Sequence, residues 1–169
     1  AGDYPIYKSN GGMAGTQTAA IVAGGYGGPN GSIPGAAGRT ICNTYDGSSW
    51  TEIAELNTDR RSLAGGGTVT AAIFAGGSAP PPYVANTEIW NGSTWTEVND
   101  LNTARTGAGD GTTTSVLFYG GYVAPTQSAL TEAWDGSSWT EVSDLGTARQ
   151  DTAGAGASSS SSLAAGGYT

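Results

Sequence analysis

Residues 90–98 read Trp-Asn-Gly-Ser-Thr-Trp-Thr-Glu-Val, and residues 134–142 return the phrase as Trp-Asp-Gly-Ser-Ser-Trp-Thr-Glu-Val. Residues 45–53 carry it a third time, with Tyr45 for the first Trp and Ile53 for the Val. The step is 45 residues from Trp50 to Trp95 and 44 from Trp95 to Trp139. A period of that size fits a four-stranded β unit rather than a helical hairpin repeat. The chain is therefore read as a tandem repeat, whose stability comes from contacts between neighbouring units.

Each unit divides into four pieces, and turn chemistry marks the joints. A Gly/Ala/Thr-rich run comes first, at Ala64–Thr68, Gly107–Thr113 and Thr152–Ala157. A short apolar strand ending in a glycine pair follows, with the pairs closing at Gly25, Gly77, Gly121 and Gly167. Its apolar residues are contiguous, as in Ile73-Phe74 and Val116-Leu117-Phe118, which predicts strands buried on both faces. Thr-Glu-x-Trp is the third piece, ending at Trp90 and Trp134, with Cys42–Tyr45 in the corresponding place; Trp-Thr-Glu-Ile/Val, from Trp50, Trp95 and Trp139, is the fourth. Asp46-Gly47, Asn91-Gly92 and Asp135-Gly136 lie between them and predict a tight hairpin using positive φ. Leu-x-Thr-x-Arg then leads onward, ending at Arg60, Arg105 and Arg149. The expected organisation is a lead-in with the first strand over 1–18, repeats at 19–62, 63–106 and 107–150, and an incomplete fourth repeat at 151–169.

This patterning resembles the kelch-type β-propeller repeat, and the wording Trp-Asn/Asp-Gly-Ser-x-Trp-Thr-Glu-Val-x-Asp-Leu-x-Thr-Ala-Arg is similar to kelch-like repeats of bacteriophage virion proteins, especially tail-fibre or decoration proteins of marine phages. The resemblance implies an all-β fold of kelch-like propeller blades, located on a virion surface or outside the cell, with a structural or adhesive role. The period falls below the kelch spacing of about 50. Four glycine-pair strands stand against three of the hairpins that follow them. About three and a half units fall short of the ~4–8 blades of a closed ring. Other copies of the chain, or a larger fibre or virion protein, are therefore expected to complete the open blade. Five consecutive serines at 158–162, where other copies begin an apolar strand, mark the last unit as poorly packing or lacking its partner.

The bulk composition narrows the chemistry. Six basic against 14 acidic residues give a net charge of −8, the wrong sign for a phosphate backbone or an anionic membrane. There is no histidine, one cysteine (Cys42) and one lysine (Lys8). Ser/His/Asp and Cys/His catalytic arrangements are thus excluded, no disulfide can form within the chain, and neither metal nor cofactor is expected. No apolar run reaches the ~18 residues of a membrane helix. Residues 1–20 lack the basic start and apolar block of a signal peptide, and an opening on Ala1 rather than Met is compatible with a leading segment already removed. The glycine-rich stretches 24–31 and 107–111 lack the Lys-Ser/Thr and following helix of a phosphate loop.

The recurring carboxylates Glu52, Glu88, Glu97, Glu132 and Glu141 contain the pair needed for glycoside hydrolysis. Recurrence instead points to a repeated structural need, such as pairing with Arg60, Arg105 and Arg149, and no enzymatic activity is expected. Asp100 and Asp144 are expected to cap turn N–H groups. Trp50, Trp95, Trp139, Tyr45, Trp90 and Trp134 are read as packing between units. Loops 26–40, 78–85 and 122–129 vary between copies, and such loops carry binding chemistry. Tyr26, Tyr122 and Tyr168 directly follow a glycine pair, and Tyr83 lies near Ser78 in the copy that lacks one. These four tyrosines form the candidate ligand platform, with a cell-surface glycan as the candidate ligand. A lectin-like propeller is the second reading of the whole chain, and a protein–protein scaffold the third.

Overall fold

The computed structural model describes Asp3 and residues 7–28, 40–79 and 82–169. Those residues form strands and turns with no helix. Pro80, Pro81 and residues 29–39 of the variable loops lie outside the described residues. The strands are β1 (Tyr7–Ser9), β2 (Gly12–Thr16), β3 (Ala19–Ala23), β4 (Tyr26–Gly28), β5 (Cys42–Tyr45), β6 (Trp50–Ile53), β7 (Ala64–Thr68), β8 (Ala71–Ala75) and β9 (Thr87–Trp90). They continue as β10 (Trp95–Val98), β11 (Thr106–Thr112), β12 (Ser115–Val123), β13 (Thr126–Gln127), β14 (Thr131–Trp134), β15 (Trp139–Glu141), β16 (Ala153–Ser158) and β17 (Ser161–Ala165).

Three antiparallel sheets share one simple order, each strand beside its successor: β2-β3-β5-β6, β7-β8-β9-β10 and β11-β12-β14-β15. The short β13 adds to β12, β4 pairs with β1, and β16 and β17 form a two-stranded sheet. β2 falls in the segment 1–18, read as lead-in and first strand, and belongs to the first four-stranded sheet. The first strands β2, β7, β11 and β16 lie side by side in chain order.

Small residues make that row possible. A Cβ added at Gly66 would lie 2.4 Å from the Gly111 carbonyl oxygen, so β7 and β11 approach backbone to backbone. Outward from the row, apolar side chains fill the spaces between sheets. Ile21, Phe74, Trp90 and Trp95 centre the first cluster; Ile73, Phe118, Trp134 and Trp139 centre the second. Each fully buried Ile or Phe contributes roughly 1.5–3 kcal/mol. The burial expected on both faces holds for β3 and β8, where four of five residues are buried. It fails for β17, whose Leu163 is 65% exposed while its counterpart Ile73 is fully buried.

The dipeptides read as hairpin signals lie in the loops that join the two outer strands of each four-stranded sheet. Tyr45 pairs with Trp50, Trp90 with Trp95 and Trp134 with Trp139, leaving four residues in each loop. Only the glycine takes a positive φ, +97° at Gly47 and Gly92 and +100° at Gly136. The residue before it acts through its side chain: Asp46 Oδ1 accepts from the Ser48 and Ser49 N–H groups at 2.8 Å, and Asn91 and Asp135 repeat the arrangement. Four donors hold the Asp46 carboxyl well below the usual carboxylate range, backbone N–H groups contributing most, and those of Ser138 and Ser137 lower Asp135 to about 2.

A candidate binding basin at the loop rim

The glycine pairs build one end of the strand row. Gly76 and Gly77 take φ of +62° and +117°, and Gly120 and Gly121 take +61° and +95°, conformations open to glycine and strained for other residues. This double left-handed step turns the chain across the row. The next residue then pairs antiparallel with the segment entering the same unit: Ser9 with Tyr26, Arg61 with Ser78, Thr106 with Tyr122, Gln150 with Tyr168. Four such pairs follow one another along this end of the row. Asn10, Ser62 and Asp151, one residue beyond three of them, hold φ of 57°, 54° and 54°, a region that non-glycine residues rarely enter away from turns and functional sites.

Against three of these pairs lies an open basin of about 700 Å³, inside the size range of small-ligand sites. Tyr83, Tyr122 and Tyr168 line it together. Tyr83 and Tyr122 meet edge to face, with centroids 5.7 Å apart at 64°. Tyr83 comes from the loop after Ser78, with which it pairs, so the copy lacking a tyrosine after its glycine pair regains a ring from its loop. Tyr26 is not among the lining residues. It stands one step behind, with the guanidinium carbon of Arg61 5.1 Å from its ring centroid, and Arg61 itself reaches the basin. Burial, with Tyr122 alongside, pushes the Tyr83 phenol above its ordinary pKa against the opposing pull of Arg61.

Polar groups complete the wall. Gln127 and Gln150 bring amides, Asp151 a carboxylate, and Ser62 and Thr106 hydroxyls. Thr152 also lines the basin, and its hydroxyl is closed off from solvent without a hydrogen-bond partner. Faces of aromatic rings beside planar amides and hydroxyls suit a neutral, polyhydroxylated ligand. Sequence reasoning missed Arg61, Gln127, Gln150 and Asp151 as basin residues. Their only available signal was position within two residues of a register point set by a glycine pair, or within a variable loop.

The other recurring residues hold sheets together. Arg60 reaches from the end of the first unit into the second sheet, where it donates to Gly76 O at 2.9 Å and meets Glu88 at 3.1 Å with both side chains fully buried. Arg105 repeats this with Gly120 O and Glu132. Glu88 also accepts from the backbone and side-chain N–H groups of Asn57, at 2.7 and 2.8 Å, and Glu132 does so from Asn102. Desolvation lowers the Arg60 pKa, while Glu88 opposes that shift. Trp95 and Trp139 are buried and donate their indole N–H groups back to the preceding sheet, at Ala54 O and Thr87 Oγ1. Trp50 and Tyr45 pair across β5 and β6 of the first sheet, their rings tilted at 36° with centroids 4.9 Å apart. Glu52, Glu97 and Glu141 are exposed, and Asp100 and Asp144 accept from Thr87 N–H and Thr131 N–H at 3.1 Å. Cys42 is buried, with its thiol against Thr40 O.

One departure from the repeat lies outside the basin. Asp110 occupies the place held by Ala14, Gly66 and Gly156, yet is buried. Tyr119 donates to its carboxylate at 3.0 Å and Ser162 donates from the two-stranded sheet. Burial, reinforced by the negative charge of Asp110, pushes the Tyr119 phenol well above its ordinary range. This polar contact ties β16 and β17 to the third sheet, at a position where the other copies carry only Ala or Gly.

Compared with models of known protein families and with curated proteins, the chain matches none.

Proposed function

We propose that this chain is a segment of a kelch-like β-propeller that serves as a non-enzymatic structural and adhesive module on a virion surface, gripping its target through the basin at the loop rim. The convergence of Tyr83, Tyr122 and Tyr168 on one polar basin carries this reading. First strands neighbouring one another in chain order, with later strands progressively further out, are what propeller blades require. The buried carboxylates Glu88 and Glu132 are engaged by Arg and Asn in a contact repeated between sheets, which favours a structural role over acid–base chemistry. A lectin-like propeller of a secreted or surface protein is the second reading, favoured by rings and amides on the same wall.

Glycan-array binding tests the adhesive site. The intact chain is expected to bind a neutral oligosaccharide saturably, and the Tyr83→Ala/Tyr122→Ala double variant to bind at least tenfold more weakly with unchanged thermal stability. Undiminished binding by the folded double variant would rule out the basin. Mass spectrometry of density-purified particles tests the location: its absence there removes the virion reading and leaves the surface lectin.

A further inference from the structure

Each completed sheet junction has the same receptor and the same insert. The receptor is an arginine from the incoming linker, held on a glycine-pair carbonyl, together with the apolar face of the preceding sheet. The insert is a hairpin that brings a glutamate to the arginine and two tryptophans to the face. Arg60 receives Glu88 and Arg105 receives Glu132. Ile53 is packed into the cluster around Trp90 and Trp95, and Val98 into the one around Trp134 and Trp139.

The third receptor is built in the same way. Arg149 donates to Gly166 O at 2.6 Å, the contact that Arg60 makes with Gly76 and Arg105 with Gly120. Its backbone carbonyl accepts from Gly121 N–H at 2.8 Å, just as Arg105 O accepts from Gly77 N–H. Among the described residues, however, no carboxylate forms an ion pair with Arg149. β17 pairs only with β16 there, whereas its counterparts β3, β8 and β12 each carry a further strand on the other edge. Val142, the counterpart of Ile53 and Val98, is 39% exposed, and Leu163 is 65% exposed.

We propose that the free edge of β17, Arg149 and the outer face of the third sheet form a docking site for an antiparallel β-hairpin of acidic-aromatic pattern, Thr-Glu-x-Trp followed by Trp-Thr-Glu. The two filled junctions define this occupant. Strand addition satisfies the open N–H and C=O groups of β17, and the side chains give selectivity. The glutamate replaces water around the guanidinium with a charge-assisted hydrogen bond. The tryptophans cover Val142 and the third sheet. The leading sheet of a second copy does not fit, because Asn43 stands where Glu88 and Glu132 stand in the filled junctions. Gly146 replaces Asn57 and Asn102 at the remaining corner. It retains the backbone N–H that binds the carboxylate in the other junctions and lacks the amide side chain, so the site is expected to hold its insert more loosely than its two predecessors.

The proposal rests on the stacked-sheet reading above. To test it, the full chain is extended after Thr169 with a copy of residues 124–144, preserving the spacing that separates Gly121 from the third hairpin, and hydrogen exchange is followed along β17. The expected result is at least tenfold slower exchange of β17 amides than in the unextended chain. That protection should be lost when the copied Glu132 is changed to Gln and when the extended chain carries Arg149→Ala. The unextended Arg149→Ala chain controls for damage to the fold. Unchanged exchange in the extended chain overturns the proposal, as does equal protection in the Gln and Ala versions. Glycan binding by the same samples reports on the basin separately, so failure of the docking site and failure of the adhesive reading are distinguishable.

Discussion

Arg60 and Glu88 lie on different units and meet at 3.1 Å, with neither side chain in contact with solvent. Two buried charges are tolerated here because hydrogen bonds surround them: Gly76 O and Asn86 O accept from the guanidinium, and Asn57 donates to the carboxylate. Removing one partner strands the other in a site without water. Glu88→Leu is expected to cost about 3–5 kcal/mol, and Arg60→Met with Glu88→Leu together much less than the sum of the single changes. Urea denaturation of the four chains measures the coupling; additive losses would show that the pair does not act as a unit.

The loop aspartates predict a pH dependence with a defined sign. Asp46 and Asp135 have folded-state pKa values below the ordinary carboxylate range, Asp135 at about 2. A carboxyl lowered on folding stabilises the fold above its unfolded pKa, and that stabilisation fades as pH falls toward the folded value. Melting temperature is therefore expected to fall between about pH 4 and pH 2, and to fall less in Asp46→Asn/Asp135→Asn. Asn91 is the built-in control, since its amide oxygen accepts the same two backbone bonds without a charge. Parallel pH profiles for the two chains would count against this assignment.

Glycine substitutions should separate close approach from backbone freedom. Gly66 has no positive φ, yet its added methyl would strike the Gly111 backbone at 2.4 Å. Gly66→Ala is expected to cost about 1–3 kcal/mol by forcing β7 and β11 apart. At Gly146 an added methyl meets nothing within 4 Å. Gly146→Ala is expected to be neutral or to stabilise by about 0.4–1 kcal/mol through the unfolded chain. Chemical denaturation of both variants checks the contrast.

Asp110 predicts a local effect on the two-stranded sheet. Asp110→Ala leaves the Tyr119 and Ser162 hydroxyls without their shared acceptor, at a cost of about 1–3 kcal/mol. Tyr119→Phe removes one donor and leaves Ser162 in place, so a loss of about 1 kcal/mol is expected. Hydrogen exchange should show both losses concentrated in β16 and β17; a uniform loss over all sheets would contradict a local tie.

The strands were legible in the sequence because their signals are local. Ile73-Phe74 before Gly76-Gly77, and Asn91-Gly92 between Trp90 and Trp95, each specify their own segment without reference to the rest. Details that depend on neighbours were not legible. Five recurring glutamates looked alike, yet only Glu88 and Glu132 face an arginine, and β9 and β14 bury adjacent Thr and Glu rather than alternating. Asp110 sits in a glycine-rich run where polarity alone suggests a loop. In the basin, Tyr122 and Tyr168 announced themselves by following glycine pairs, and Tyr83 by its place in the variable loop after Ser78. Gln127 and Asp151 did not, because polar residues on a turn carry no periodicity. The dipeptides marked the hairpins, but the loop length of four residues was not legible, because it depends on Asp46, Asn91 and Asp135 bonding through their side chains to the residues two and three further on.

The indole bonds of Trp95 and Trp139 point back to the preceding sheet, while Arg60 and Arg105 point forward to the next. The two faces of a sheet are therefore unlike, and no sheet can pair with another by a two-fold axis through this contact. Any assembly made with it has a head and a tail. Such a heterologous joint closes only if its rotation divides a full turn; otherwise it winds into an open filament. Ring or filament is thus decided by the angle between neighbouring sheets, and small side chains such as Gly66, which let the first strands touch, set how sharply each step turns.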